Sequence, residues 1–369
     1  MEIDESTRKL LEQFGFEEKV FQELLGRLAH ESSDDAQNRI QKLVEVPEAD
    51  DVYSLPPKGS KERDELHALG TAAIARGEVA SVVLAGGMAT RFGGVVKAAV
   101  DALPGRSFLD LKLAQIERVA ETAKGRVPVY LMTSFATDAE IRSLARSHKH
   151  PSVPVEAFPQ AISLRVTPTG ELFYEKDGSP SPYAPGHGDL IWALRRAGIL
   201  HRFLASGGKV LVMSNVDNLA ATLDPAVVGA HLKSGAQITA EVTEKEPGEK
   251  GGAPARVDGV PQIVEAFRFP TDFDQDSIPV FNTNTLLFDA TTLDRDFPLS
   301  WFTVRKKVDG RDAVQFERLV GEMTALLPSR FLRVPRYGVE GRFQPAKDPE
   351  ELKKRQPDIE RVMKACGVL

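Results

Sequence analysis

Over the first fifty residues apolar positions recur at helical spacing: Leu10, Leu11 and Phe14, then Val20, Phe21, Leu24, Leu25 and Leu28, then Ile40, Leu43 and Val44. This predicts an N-terminal helical layer. The Pro-, Gly- and charge-rich run ADDVYSLPPKGSKERDE follows, and LHALGTAAIARGEVA predicts one further helix ending near Gly77. From Val79 the period changes. Short runs apolar on both faces (VASVVLA, VPVYLM, KVLVMS) alternate with amphipathic patterns at SFLDLKLAQIERVAETA, TDAEIRSLARSH and GDLIWALRRAGILHRFLAS. Strands buried on both faces and separated by helices predict a doubly wound, Rossmann-like α/β sheet. From about Ala236 the β-rich segments AQITAEVT, PQIVEAF and VFNTNTLLF add an antiparallel portion, so the expected sheet is mixed. A short strand, RFLRV, and a helix, DPEELKKRQPDIERVMKAC, close the chain. The pattern divides it into a helical segment with linker (1–77), a main α/β domain (78–330) and a small strand–helix segment (331–369).

A chain of 369 residues buries a large core. Its net charge of -6, from 47 Lys+Arg against 53 Asp+Glu, leaves no overall positive field to hold a nucleic acid, so any phosphate binding must be local. The single cysteine, Cys366, forms no intramolecular disulfide, which fits a reducing compartment. The opening MEIDESTRKLLEQF is acidic and amphipathic, and no run of about 18 apolar residues follows anywhere. The expected location is the cytoplasm, with no membrane partner.

Candidate chemistry begins at VVLAGGMATRFGG, Val82 to Gly94. Leu84 and Ala85 end a strand, so Gly86, Gly87, Gly93 and Gly94 fall where a doubly wound sheet binds ligands. Glycines let successive N–H groups converge on an anion, and Arg91 and Lys97 bring positive charge to the same loop. A turn that only packs explains the glycines but not the two cations together. The spacing matches neither G-x-x-x-x-G-K-[ST] nor G-x-G-x-x-G, so neither a P-loop nucleotidase nor a dehydrogenase is indicated.

Together with TAAIARGEVASVVLAGGMATRFG and SFLDLKLAQIERV, this loop resembles the signature of the sugar nucleotidyltransferases, in particular the UDP-sugar pyrophosphorylase family. That group joins UTP–glucose-1-phosphate uridylyltransferases and UDP-N-acetylglucosamine pyrophosphorylases. The distance from Gly93 to Lys97 is one residue shorter than the family pattern, and no proline precedes the lysine. The resemblance implies a GT-A-type catalytic domain over 78–330, with the backbone of Leu84, Ala85, Gly86 and Gly87 against the nucleotide.

The remaining motifs come in family order. Gln160, in FPQ after a strand, offers a donor and an acceptor to the edge of a base; a surface glutamine in a turn is the alternative. PGHGDLIWAL places Gly186 and His187 before a helix start, where free N–H groups favour an anion or a carbonyl. His148 and His150, in SHKHP, have no third ligand near in sequence and read as a solvated loop. VLVMSNVDNLA delivers Asn215, Asp217 and Asn218 past a strand end. There Asp217 either holds a hard cation such as Mg²⁺ or caps the turn, and Asn218 reads as such a cap.

By resemblance alone, Asn215, Gly252, Glu265 and Asn284 line a sugar, Lys306 belongs to a glucose-branch motif in RKKVDGRDAVQFE, and Lys347 in RFQPAKDPEEL is a second phosphate clamp. The similarity runs from about Ala68 to Leu352. The long C-terminal β-rich extension of many members has no counterpart, and a monomer is favoured.

What the family implies is transfer of uridylyl from UTP to a sugar 1-phosphate with release of pyrophosphate. Arg91, Lys97 and Lys347 would neutralise phosphates, Asp217 would hold Mg²⁺, and Gln160 would read uracil. Glucose 1-phosphate is the expected acceptor, because HGD, NVDNLAA, FNTN and VDG…VQFE look most like the glucose branch. AIARGEVASVVLAGG looks more like the N-acetylglucosamine side, so a UDP-N-acetylglucosamine or broad-range enzyme stands as the alternative. A binding protein that kept the fold and lost the chemistry is the reading from another class.

Overall fold

The computed structural model describes residues 3–30, 35–246, 248–249 and 251–369. Its frame is an eight-stranded mixed sheet of β1 (Val52–Ser54), β2 (Val79–Leu84), β3 (Val129–Thr133), β4 (Val155–Pro159), β5 (Val210–Asn215), β6 (Ile238–Glu244), β7 (Val280–Asp289) and β8 (Ser329–Arg333), in the spatial order β1-β8-β6-β7-β5-β2-β3-β4. Strand β7 runs antiparallel to both neighbours, and every other pairing is parallel. From β2 the chain winds outward through β3 to β4, then returns to lay β5 on the other side of β2. The carboxyl ends of β2 and β5 therefore flank a topological switch point, where loops diverge and leave a crevice.

Helices cover both faces, as the alternating pattern predicts. One core joins Val83, Leu131 and Val212 of the sheet to Leu66 and Ile74 of α3 (Lys61–Ala75), Leu109 and Ile116 of α4 (Phe108–Ala123), Val227 of α8 (Pro225–Ser234) and Ile359 of α9 (Pro349–Ala365). The opposite face buries Val82, Tyr130 and Met213 under Leu194 of α6 (Leu190–Arg196) and Phe203 of α7 (Ile199–Ala205). Helix α5 (Asp138–Ser147) lies beside β4. Helices α3 and α8 touch through glycines: a Cβ on Gly70 would stand 1.8 Å from the Pro225 carbonyl oxygen, and one on Gly229 1.9 Å from that of Leu66.

At the N-terminus, α1 (Glu5–Gln13) and α2 (Glu18–Leu28) form the expected helical layer. The pattern at Ile40, Leu43 and Val44 does not continue it. Residues 35–38 make a single 3₁₀ turn, Val44–Glu45 pairs with Arg256–Val257 as a short strand, and Leu43 is left 63% exposed. Three apolar positions ahead of Pro47 are too few to propagate a helix, and a β-branched valine beside an open hairpin edge pairs instead. Residues 31–34 of that stretch lie outside the described residues. All three sequence segments share the central sheet, since β1 comes from the first and β8 spans residue 330, while α9 packs on the same core as α3, α4 and α8.

Beneath the carboxyl edge, Arg342 is buried against Glu241 of β6. Its Nε donates to Oε2 at 2.9 Å and Nη2 to Oε1 at 2.6 Å, while Nη1 and Nη2 also reach Thr222 Oγ1 and O at 3.1 and 3.0 Å. Neither side chain is more than 5% exposed. Removing one partner of such a pair leaves the other charge uncompensated. Arg342→Ala should destabilise the fold by about 3–5 kcal/mol in urea unfolding.

Candidate active site

The site is assembled from loops at the carboxyl ends of β2, β3, β4 and β5. After β2, the Ala85 N–H donates to Met132 O at 2.8 Å, and Gly86 follows with the Gln160 amide close against it: a Cβ there would lie 2.5 Å from Gln160 Nε2. Ser134 Oγ donates to Gly86 O at 2.8 Å. Met88–Ala89 then pairs with Val95–Val96, the Lys97 N–H closes on Gly87 O at 3.2 Å, and Gly93 and Gly94 make the return turn at φ of 89° and 80°. The shortened loop is thus a small closed hairpin. Arg91 stands exposed at its tip, near enough to weigh on the Lys97 charge. Lys97 is buried, with Nζ donating to Ala346 O and lying 4.0 Å over the Phe92 ring. Burial lowers its pKa, and the charges of Asp217, Glu351 and Asp348 oppose that.

Asp217 follows β5. Burial raises its pKa, countered first by Lys97 and then by Lys112. Lys112 of α4 is enclosed and donates to the carbonyls of Asn218 and Ala221 at 3.0 and 2.6 Å; burial brings its pKa down to about 7. Asn218 is not the turn cap expected from its position. Its Nδ2 donates to Arg342 O at 3.1 Å and its Oδ1 accepts from Gln344 N at 2.9 Å, which docks the 342–347 segment across the crevice. Lys347, exposed, follows the carbonyl that Lys97 holds.

On the β4 side Gln160 is buried, with Oε1 lacking a hydrogen-bond partner and Nε2 facing Gly86. His187 accepts the Val320 N–H at Nδ1 (3.1 Å), an assignment that puts its proton on Nε2. Burial pushes its pKa down to about 4, so the imidazole is neutral. Gly186 (φ 103°) and Gly188 lie against Arg318, whose backbone a Cβ at either position would meet at 2.8 and 2.5 Å. Asp189, fully buried, accepts from Ala161 N at 3.1 Å and pairs with Arg318.

Beyond Asp217 a polar wall continues. Asn284, at φ 56°, donates from Nδ2 to Asn215 Oδ1 at 3.0 Å, and Asn282 N donates to Gly252 O at 2.7 Å. A Cβ on Gly252 would stand 2.9 Å from the Glu265 carboxylate, whose pKa burial raises. The four residues thus form two pairs, Asn215 with Asn284 and Gly252 with Glu265, joined through Asn282. Lys306 stands apart, on a hairpin of 302–308 and 311–317, with Nζ 2.6 Å from Glu317; that carboxylate in turn acts electrostatically on His187. His148 and His150 pair with Glu117 and Glu121 of α4 at 3.2 and 3.3 Å. Among the described residues no three His, Cys, Asp or Glu side chains cluster as a metal cage.

Four residues of the site carry no assignment in the sequence reading. Asp189 and Arg342 lie inside motifs noted for their neighbours. Lys112 does leave a signal: with Phe108 and Ile116 it occupies one helical stripe, at a position where the pattern calls for leucine. Arg318 leaves none.

A glycine hairpin, a buried amide with an unpaired oxygen and a carboxylate facing two lysines meet at the switch point of a mixed α/β sheet, an arrangement suited to holding a nucleotide. The model of the UTP–glucose-1-phosphate uridylyltransferase family matches residues 19–359, and the chain belongs to that family. UTP–glucose-1-phosphate uridylyltransferase 2 of Dictyostelium discoideum is 28% identical over 294 residues, which is 74% of this chain and 57% of that protein. The yeast Saccharomyces cerevisiae enzyme of the same name is 31% identical over 228 residues, 59% of this chain and 46% of that protein. The chain thus spans about half the length of these relatives. The fold is shared with the UDP-N-acetylglucosamine pyrophosphorylase of Trypanosoma brucei (TM-score 0.78, 20% identity, 95% of this chain and 79% of that one). It is shared also with a UDP-glucose phosphorylase of that organism (TM-score 0.75, 23% identity, 94% and 77%).

Neutral burial of His187, and likewise of His231, whose pKa also falls to about 4, ties stability to pH. Between pH 6.5 and 4 the unfolded chain binds protons that the folded one refuses, so this contribution is full above 6.5 and is lost as pH falls towards 4. Urea unfolding should show stability falling across that window, with a shallower slope in His231→Gln.

Proposed function

We propose that the chain is a uridylyltransferase that makes UDP-sugar and pyrophosphate from UTP and a sugar 1-phosphate, with glucose 1-phosphate as the acceptor. The observation that carries this reading is the convergence at one crevice of a recessed amide with an unpaired oxygen, Gln160, and a lysine–carboxylate junction, Lys97 and Asp217. A uracil edge presents a donor beside acceptors, and an amide is its complement.

In the reaction a phosphate oxygen of the sugar 1-phosphate attacks the α-phosphorus of UTP, the new P–O bond forms, and the bond to pyrophosphate breaks. The nucleophile is already anionic, so no general base is required. The protein's task is to hold two anions in line and offset their charge. Arg91 and Lys97 neutralise the triphosphate, and Lys347 positions the sugar phosphate. Gln160 and the Gly86–Gly87 backbone hold the base, and the neutral His187 offers its Nε2–H nearby. Asn215, Gly252, Glu265 and Asn284 share the sugar hydroxyls, and Lys306 acts from the glucose-branch hairpin. A single carboxylate suits Mg²⁺, which is commonly held by one or two carboxylates plus substrate phosphates rather than by a protein cage. Asp217 would hold it, and the ion would supply further charge neutralisation. A monomer in the reducing cytoplasm fits the lone Cys366.

The test is pyrophosphate release from UTP and Mg²⁺, run with glucose, galactose and N-acetylglucosamine 1-phosphates. Release preferring glucose 1-phosphate is expected; preference for the acetamido sugar would move the acceptor, and no release with any sugar would refute the reading. Lys97→Ala should lower kcat about a hundredfold, as loss of a group that stabilises developing charge does. Gln160→Leu should act mainly on the KM for UTP.

A further inference from the structure

We propose that Arg318 is a positioning residue for the nucleotide, and that through Glu17 it makes the N-terminal helix pair a working part of the nucleotide pocket; this rests on the uridylyltransferase reading above. Arg318 sits between three elements. Its Nη2 is bonded to the buried Asp189 and lies 3.4 Å from Glu17, the residue that opens α2, while its guanidinium stacks 4.1 Å from the Trp301 ring. Its main chain engages the same turn: its N–H donates to Pro185 O at 2.8 Å and its carbonyl accepts from Gly188 N at 3.0 Å. Two residues on, Val320 N holds His187 in its tautomer. On the far side of Asp189, Oδ2 takes the N–H of Ala161, the residue after Gln160. Arg318 therefore connects the stretches that bear Gln160 and His187, the first through its guanidinium and Asp189, the second through its main chain.

The apolar face of α1 and α2 points to the same conclusion independently. Leu11, Phe14, Phe21, Leu24 and Leu28 pack on Ile162 and Leu164, just after Gln160, and on Val314 and Phe316, just before Arg318. Arg196, at the end of the helix that follows the His187 turn, donates to Gln13 O at 3.1 Å. The helices thus pack on the segments that follow Gln160 and precede Arg318. A half-buried Glu17 facing a guanidinium already paired to Asp189 gives this docking a charge partner as well as an apolar one. Small displacements of positioning groups cost binding and rate steeply.

The experiment measures UTP binding to the full chain in Mg²⁺ by calorimetry, together with KM values for UTP and the sugar 1-phosphate, for Arg318→Gln, Arg318→Lys and Glu17→Gln. Arg318→Gln should raise the UTP Kd about tenfold or more with the KM for sugar 1-phosphate nearly unchanged, and Arg318→Lys should recover part of that loss. Glu17→Gln, which leaves the Arg318–Asp189 pair intact, should weaken UTP binding in the same direction by a smaller factor. Thermal melts that fall while UTP Kd stays at the wild-type value would overturn the inference, leaving Arg318 a purely structural residue. If Arg318→Gln does not fold, an unchanged Kd in Glu17→Gln overturns the coupling to the helices. Failure of the unsubstituted protein to bind UTP would overturn the nucleotide reading and this inference with it.

Discussion

The buried pair of Arg342 and Glu241 is the constraint on which the site's assembly depends. Desolvating two charges is costly, and such a pair rarely adds net stability over apolar side chains of the same volume. What it supplies here is register. Arg342 is anchored by both oxygens of Glu241 and by Thr222, which fixes the start of the segment that follows. Asn218 then holds that segment through both ends of its amide, and Lys97 closes on Ala346. Three distant stretches of chain thus meet beside one anchored guanidinium.

Around this anchor the site divides into two walls with different physics. The wall proposed for the nucleotide relies on close approach: Gly186 and Gly188 stand where a Cβ would collide with the Arg318 backbone. Its two assigned side chains, the His187 imidazole and the Gln160 amide, are uncharged, with the Arg318–Asp189 pair behind them. The opposite wall is rich in shared polar groups, Asn284 on Asn215 and Glu265 beside Gly252. Charge is concentrated between the walls, at Lys97, Asp217, Lys112 and Lys347, where reacting phosphates would lie. Buried charges that compensate one another in a low-dielectric crevice act more strongly on a ligand than exposed ones do.

Much of the fold is legible in the sequence because β2, β3 and β5 are apolar on both faces and the helices between them carry clear stripes. The glycine loop and Gln160 are legible because they fall just past strand ends, and the His187 turn because it precedes a helix start. Position along the chain conceals the rest. Nothing in RFLRV shows that it pairs between β1 and β6, since parallel neighbours distant in sequence leave no local signal. Ile40, Leu43 and Val44 read as helix because three apolar residues fit either period. Arg318 and Asp189 matter through partners more than a hundred residues away, a kind of dependence that no short motif records.

The most direct test of this account is a crystal structure of the full chain with UDP-glucose and Mg²⁺. Uracil should lie against Gly86 with its N3–H on Gln160 Oε1, the diphosphate between Lys97, Asp217 and Lys347, and the hexose against Asn215, Glu265 and Asn284. A nucleotide bound elsewhere, for example in the surface cleft lined by Arg39, Lys42 and Arg268, with Gln160 Oε1 still unpaired, would contradict it.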